Sequence, residues 1–308
     1  MLETSVDFKE IFLYGKRLFL TNDQCTLHDF PENIAVIRQE GLHSRKLKPS
    51  DTTVTVDKVN IGRGGLVIAA GPCAVESEDQ MLEIAEKVKR LGADMLRGGA
   101  FKPRTTPYSF QGLGKNGITI LKQAREITGL PVVTEMMDIA DYEAFDNVDM
   151  IQIGSRNAQN FSLLKFLGSR NRPVLFKNGM ANTISEWLSS AEYLLSGGNE
   201  KVVLCYRGTR GFDNATRFNM DSGVIPALRE RTHLPICADP SHPAGDRKYV
   251  EAIALASVAA GADMLEIEVH NDPDSALSDS KQQLTFMEFE KLVRNARKVA
   301  DILGSRTA

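Results

Sequence analysis

Six cations of this chain stand at or just beyond the ends of short apolar runs: Arg97, Lys102, Arg104, Arg156, Lys177 and Arg207. If the runs converge, six positive charges crowd one rim and repel one another until anions bind. The planar fork of arginine donates two parallel hydrogen bonds to phosphate or carboxylate, so one or two phosphorylated substrates fit the set. A second population has metal-ligand types: Cys73, His242, Glu268 and Asp279. One thiolate, one imidazole and two carboxylates make a donor set of mixed softness, suited to Mn, Fe, Co, Zn or Cu. Taken singly, each cation reads as a solvated surface charge, Cys73 as a packed thiol and His242 as a loop histidine between two prolines. They become a site only if the fold brings them together.

The elements that would do so repeat. From residue 66 onward, β-rich apolar runs alternate with longer amphipathic stretches. The runs are Leu66 to Ala74, Met95 to Phe101, Pro131 to Met137, Met150 to Gly154, Pro173 to Gly179, Val202 to Gly208, Pro235 to His242 and Met264 to His270. Helical stretches lie between them at Asp79 to Leu91, Ile118 to Ile127, Thr183 to Leu195, Lys248 to Ala260 and Thr285 to Leu303, several with a capping Ser, Thr or Asp at the start. Eight such units in about 240 residues predict an α/β fold, a (β/α)8 TIM barrel, whose chemistry sits at the C-terminal strand ends. A doubly wound sheet fits less well, because Gly62-Arg63-Gly64-Gly65 precedes the first run instead of following it. Residues 1–50 read as an N-terminal extension with a helix or strand near Phe8 to Leu20. Residues 51–308 read as the catalytic barrel, entered by a hairpin from Thr52 to Leu66. Apolar residues in the extension, Phe8, Ile11, Phe12, Leu13, Leu18, Phe19 and Leu20, require burial against the barrel or another subunit, and a homodimer or homotetramer would supply it.

Composition removes several classes of function. Lys and Arg number 37 against 40 Asp and Glu, a net charge of -3 without the basic surplus of a nucleic-acid binder. No run approaches a membrane span, Met1 to Lys9 lacks a signal-type apolar run, and Cys25, Cys73, Cys205 and Cys237 form no CxxC pair, so a cytoplasmic protein is expected. Cys205 and Cys237 read as packing, His233 as a residue of the stability face, and His270 as ambiguous. Asp239 and Glu135 could orient ligands or lysines. No nucleic-acid or membrane partner is indicated.

Longer motifs sharpen the reading. Gly71-Pro72-Cys73-Ala74-Val75-Glu76-Ser77, Lys102-Pro103-Arg104-Thr105-Thr106-Pro107-Tyr108-Ser109-Phe110-Gln111-Gly112, Asp239-Pro240-Ser241-His242, and Glu268-Val269-His270 followed by Ala276-Leu277-Ser278-Asp279 resemble the single-barrel 3-deoxy-D-arabino-heptulosonate 7-phosphate (DAHP) synthases. The resemblance runs from about residue 50 to 303. It implies condensation of phosphoenolpyruvate with erythrose 4-phosphate, the entry step of the shikimate pathway. It further implies a divalent metal on Cys73, His242, Glu268 and Asp279, and phosphoenolpyruvate on Arg97, Lys102, Arg156, Lys177 and Arg207. The aldose phosphate would fall to Arg104 and Thr105. Lys102 is the candidate proton donor to the aldehyde oxygen, its pKa expected to be depressed by neighbouring arginines. Glu135, Asp239 and His242 stand as alternatives for activating the attacking water.

Lys177-Asn178-Gly179 and Tyr206-Arg207-Gly208 depart from the Lys-Arg-Gly and Glu-Arg-Gly of near relatives, which leaves open a different acceptor aldose. The sister 3-deoxy-D-manno-octulosonate 8-phosphate synthases would carry Lys-Ala-Asn-Arg where this chain has Lys102-Pro103-Arg104-Thr105. A silent barrel that only binds a phosphorylated metabolite is the remaining alternative, against which the intact motifs argue. The extension is too short for the ferredoxin-like regulatory domain of many relatives, so weak feedback inhibition is expected.

Overall fold

The computed structural model describes residues 8–21, 41–62 and 64–304. Cys25, His28 and Arg63 lie outside them. The first apolar stretch is a hairpin of strands β1 (Phe8–Leu13) and β2 (Lys16–Thr21). Its two-residue turn, Tyr14-Gly15, has both φ angles positive (54° and 69°), the twist that matches paired strands. Ile11 and Leu13 are buried against the barrel, whereas Phe12 is 70% exposed. A second hairpin, β3 (Val54–Val56) and β4 (Val59–Ile61), lies inside the expected span.

All eight expected runs contain strands, and the eight strands close into a parallel barrel. In order they are β5 (Val67–Gly71), β6 (Met95–Arg97), β7 (Val132–Glu135), β8 (Met150–Ile153), β9 (Val174–Lys177), β10 (Val202–Tyr206), β11 (Ile236–Ala238) and β12 (Met264–Glu268), with β12 returning to β5. The helices between them are α1 (Glu78–Arg90), α2 (Lys115–Thr128), α3 (Phe161–Gly168), α4 (Ile184–Leu195), α5 (Val224–Arg231), α6 (Ser241–Ala244), α7 (Arg247–Ala259) and α8 (Phe286–Gly304). Helix α4 begins in a reciprocal capping box between Thr183 and Glu186, which satisfies backbone donors that its first turn leaves free.

Side chains alternate along a strand, so every second residue faces the barrel axis. At the N-terminal end the inward residues are apolar: Val67, Ala69, Met95, Val133, Met150, Leu175, Val203, Cys205, Cys237 and Met264 form one cluster with Val54, Val56 and Ile61 of the second hairpin. That hairpin therefore plugs the bottom of the barrel. Outward residues such as Ile68, Leu96, Ile151, Phe176, Leu204 and Ile267 join the larger core beneath the helices. Cys205 and Cys237 sit in register on β10 and β11, buried and free, as packing residues. His233 closes the lower face, with Nε2 2.9 Å from the Leu42 carbonyl and Nδ1 2.8 Å from the Thr52 hydroxyl. Burial lowers its pKa to about 4.

Among the described residues, no helix is long and apolar enough to cross a membrane.

Candidate active site

The inward register continues upward from the apolar floor into charge. Two residues beyond Met95 comes Arg97, beyond Val133 Glu135, beyond Leu175 Lys177, beyond Cys205 Arg207, beyond Cys237 Asp239, and beyond Met264 first Glu266 and then Glu268. Alternation alone carries these groups into one layer at the C-terminal end of the barrel. Above that layer lies a cavity of about 230 Å³, lined by Arg97, Lys102, Arg104, Thr105, Arg156, Lys177 and Arg207 together with Glu135, His242 and Asp279. All seven expected substrate-binding residues thus meet there.

Cys73 Sγ and carboxylate oxygens of Glu268 and Asp279 lie within 4.8 Å of one another. His242 Nε2 stands 3.7 Å from Glu268 and 3.9 Å from Asp279, so the fourth expected donor borders the trio. The α6 turn and the loop after β12 position these groups. Glu268 accepts from Gln282 Nε2 (2.6 Å), and Gln283 accepts from the Cys73 backbone N–H (2.8 Å). Asp279 adopts a left-handed backbone (φ 47°), which aspartate tolerates, and so directs its carboxylate inward. The donors fit a divalent ion. They are a soft sulfur, hard oxygens and an imidazole, and the two carboxylates are crowded beside the thiol in a largely buried corner, where a cation would relieve their repulsion. Without one, burial and the nearby Glu268 push the Cys73 thiol up to about 12.

Lys102 reaches this corner directly, its Nζ 3.0 Å from both Cys73 Sγ and the Cys73 carbonyl. Its pKa is not depressed, contrary to the expectation from its arginine neighbours. Burial and Arg97 do pull it down, but Cys73, Glu268 and Asp279 outweigh them and hold it above the ordinary lysine value.

A second charged cluster adjoins this corner through Arg97 and His242. Lys177 Nζ is 2.7 Å from Asp239 Oδ2 and 2.7 Å from Glu266 Oε2. Burial would strip its proton, yet the two carboxylates keep it charged, with its pKa well above the usual value. Asp239 Oδ2 also lies 2.7 Å from His242 Nδ1, and thereby orients a metal-type donor and a lysine at once. Glu266 further approaches Arg97 Nε at 3.4 Å, and Arg97 Nη1 lies 3.4 Å from Glu268. Sequence reasoning gave Glu266 no role. Its place two residues before Glu268 on a strand with alternating sides was the signal that could have found it.

Three groups facing the cavity retain unused capacity. Arg207 is buried with Nη1 lacking a hydrogen-bond partner among the described residues, and its backbone N–H is fixed 2.9 Å from Asn178 Oδ1. Arg156 is exposed at the rim. Glu135 is buried, and its Oε1 has no partner among the described residues. The glycine at 154 leaves room for that carboxylate where it stands, since a Cβ there would lie 1.9 Å from Glu135 Oε1 and displace it. Burial raises the Glu135 pKa, against the pull of Lys102 and Lys177.

The departures from the expected motifs lie outside the cavity. Asn178 faces away and ties the loops after β9 and β10 together, donating to the Gly179 and Gly208 carbonyls at 3.0 Å each. Tyr206 packs beside Trp187, ring centroids 6.4 Å apart. His270 is buried but stands outside the donor trio, its Nδ1 accepting from the Asp272 backbone at 3.0 Å.

Comparison with known proteins agrees with this geometry. The "Phospho-2-dehydro-3-deoxyheptonate aldolase" of Thermotoga maritima is 45% identical over 296 residues, covering 96% of this chain and 88% of the relative. The crystal structure of a DAHP synthase from Thermotoga maritima superposes with a TM-score of 0.85 at 43% identity, over 97% of this chain and 92% of that one. A "2-dehydro-3-deoxyphosphooctonate aldolase" of Desulfatibacillum aliphaticivorans is 32% identical over 258 residues, 77% of this chain and 93% of the relative. The sequence profile of the DAHP synthetase I family matches residues 44–304, and the chain belongs to that family.

Proposed function

We propose that this barrel condenses phosphoenolpyruvate with erythrose 4-phosphate and water, giving DAHP and phosphate, and so opens the shikimate pathway. The observation that carries the reading is the cavity itself: seven cationic or hydroxyl side chains from four strand ends and the loops beyond them line it beside a trio of metal-type donors. In the proposed assignment, Arg97, Lys177, Arg156 and Arg207 hold the phosphate and carboxylate of phosphoenolpyruvate, with Lys102 at their edge. Arg104 and Thr105 take the aldose phosphate, Arg104 being fixed by its 2.7 Å bond to Ser278 Oγ.

Cys73, Glu268, Asp279 and His242 would hold a divalent ion, which as a Lewis acid polarises the aldehyde and contributes on the order of several kcal/mol. C3 of the enol phosphate bonds to the aldehyde carbon, and Lys102 donates a proton to the aldehyde oxygen. Water bonds to C2, and phosphate departs with cleavage of the C2–O bond. Of the three groups considered for activating that water, Asp239 is already engaged by Lys177 and His242, and His242 faces the metal donors. Glu135 Oε1 has no hydrogen-bond partner among the described residues and its side chain lines the cavity, so we assign it the proton of the attacking water. We further place the enzyme in the cytoplasm, as a homo-oligomer whose exposed Phe12 faces a second subunit. We keep residues 1–50 as an N-terminal extension ahead of the barrel.

The alternative acceptor is arabinose 5-phosphate, favoured by the family relation to the 2-dehydro-3-deoxyphosphooctonate aldolases and disfavoured by Lys102-Pro103-Arg104-Thr105. Metal-stripped protein assayed for phosphoenolpyruvate loss and phosphate release, with and without Mn2+, decides between them when each aldose is offered in parallel. Metal-dependent turnover with erythrose 4-phosphate alone is expected. Turnover only with arabinose 5-phosphate, or none with either, overturns the proposal.

A further inference from the structure

The cations of the cavity are not treated alike. Arg97 and Lys177 have carboxylates beside them, Lys102 has the Cys73 sulfur, and Arg104 has the Ser278 hydroxyl. Arg207 has no carboxylate within ion-pair distance among the described residues, although it is buried. A buried guanidinium lacking a counter-ion is costly unless something else stabilises its charge. That something is an aromatic face. The Arg207 guanidinium carbon lies 3.9 Å from the centroid of the Phe218 ring, the shortest cation-to-ring distance among the described residues. Arg217 approaches the same ring at 5.7 Å.

Phe218 lies eleven residues beyond Arg207 in the same loop after β10, which must fold back to bring the ring there. Gly208 makes the turn with φ +77°, where a Cβ would lie 2.7 Å from the Asn219 carbonyl. Thr209 and Asn219 then pair as an antiparallel bridge, with reciprocal bonds of 3.0 and 2.8 Å. The Phe218 N–H is anchored on the Pro243 carbonyl at 3.1 Å, next to His242. The ring is therefore held by the backbone at both sides and lines the cavity.

We propose that Phe218 is a positioning residue that holds Arg207 by its π face and leaves the donor edge of the guanidinium uncommitted for the substrate's anionic group. A carboxylate in that place would also fix Arg207, but it would occupy the N–H groups and repel an incoming phosphate. The ring quadrupole does neither: it attracts the cation through its face without accepting its in-plane hydrogens. The orphaned Nη1 is the visible result. This inference rests on the reading that phosphoenolpyruvate enters the cavity, and it extends to any anion that Arg207 holds.

The test compares the wild type with F218L, which keeps bulk and loses the quadrupole, and F218W, which keeps the aromatic face. KM and kcat are measured for both substrates, and phosphoenolpyruvate and inorganic phosphate are titrated calorimetrically against each protein. The expected result is a rise of about three- to thirty-fold in KM for phosphoenolpyruvate in F218L. Phosphate affinity falls in step, KM for the aldose is unchanged, and F218W is restored to near the wild type. Equal phosphoenolpyruvate affinity in F218L and wild type overturns the inference, as does a lower melting temperature alone or an F218W no better than F218L. If the wild type turns over no phosphoenolpyruvate while phosphate binding still weakens in F218L, the proposed function fails and the role of Phe218 stands. A wild type that binds neither anion overturns both.

Discussion

Lys177 carries a buried charge backed by two carboxylates, and that redundancy has a measurable signature. Asp239 and Glu266 each lie 2.7 Å from its ammonium group, and both are about 1% exposed. Replacing either with the isosteric amide removes one charge-assisted hydrogen bond and leaves the other, so D239N and E266Q should each cost about 1.5–3 kcal/mol. The double variant leaves a buried ammonium with no counter-ion. That situation alone is worth about 3–5 kcal/mol when a buried pair is broken, although loss of the lysine proton limits the penalty. The double variant should therefore exceed the sum of the singles by about 1–2 kcal/mol, within the range of about 0.5–3 kcal/mol measured for residues sharing one network. Urea unfolding followed by circular dichroism and by the emission of Trp187, the only tryptophan in the chain, supplies the three differences. Coincident transitions by the two probes are required for the comparison. Additivity within about 0.5 kcal/mol refutes the shared counter-ion. So does an E266Q variant as unstable as the double one, because Asp239 would then provide no support.

Two further outcomes are expected. K102M should lower kcat by about 100-fold or more, the usual contribution of a positioned proton donor, while the protein still binds phosphoenolpyruvate; near-normal turnover removes Lys102 from that role. His233, with a pKa of about 4 when folded and about 6.5 when unfolded, favours the neutral form in the native state, so protonation favours unfolding. Its stabilisation is complete above pH 6.5 and is lost as pH falls toward 4, by up to about 3 kcal/mol; H233N should flatten the stability slope in that window, and an unchanged slope contradicts the assignment.

The barrel was legible because the eight apolar runs repeat at the right spacing, and local pattern is enough to define a parallel strand. Helices α3, α5 and α6 were not singled out, for local reasons. Phe161–Gly168 is short and mostly apolar, Val224–Arg231 carries Pro226 and begins with two β-branched residues, and Ser241–Ala244 is a single turn. The first hairpin was ambiguous because its alternation is broken by apolar Phe12 and Phe19 on the open side. The cationic set and the metal donors were legible as residue types at strand ends. Their partners were legible only in part: Asp239 reads as a group that could orient a lysine, whereas the lysine it meets and any role for Glu266 do not show in the sequence. Lys177 meets Asp239 and Glu266 from positions 62 and 89 residues away, pairings that depend on barrel closure and leave no local trace. The direction of the Lys102 pKa was misjudged for the same reason: Arg97 is near it in sequence and visible, whereas Glu268 and Asp279 come from the far end of the chain.

The distribution of partners follows from what a barrel interior permits. Inward positions are dry, so a charge placed there must be neutralised within the layer or wait for a ligand to neutralise it. Arg97 and Lys177 belong to the first kind. Their carboxylates, Glu266, Glu268 and Asp239, form a chain that runs from the metal corner to the lysine and fixes the geometry before any substrate arrives. Arg207 and Glu135 belong to the second kind, with Nη1 and Oε1 lacking hydrogen-bond partners among the described residues and both side chains lining one cavity. One is a donor and the other an acceptor. An anionic group would satisfy Arg207, and a water molecule donating its proton would satisfy Glu135. A reaction that adds water to an anionic enol phosphate brings both at once, so the two unsatisfied atoms describe the substrate pair from the protein's side.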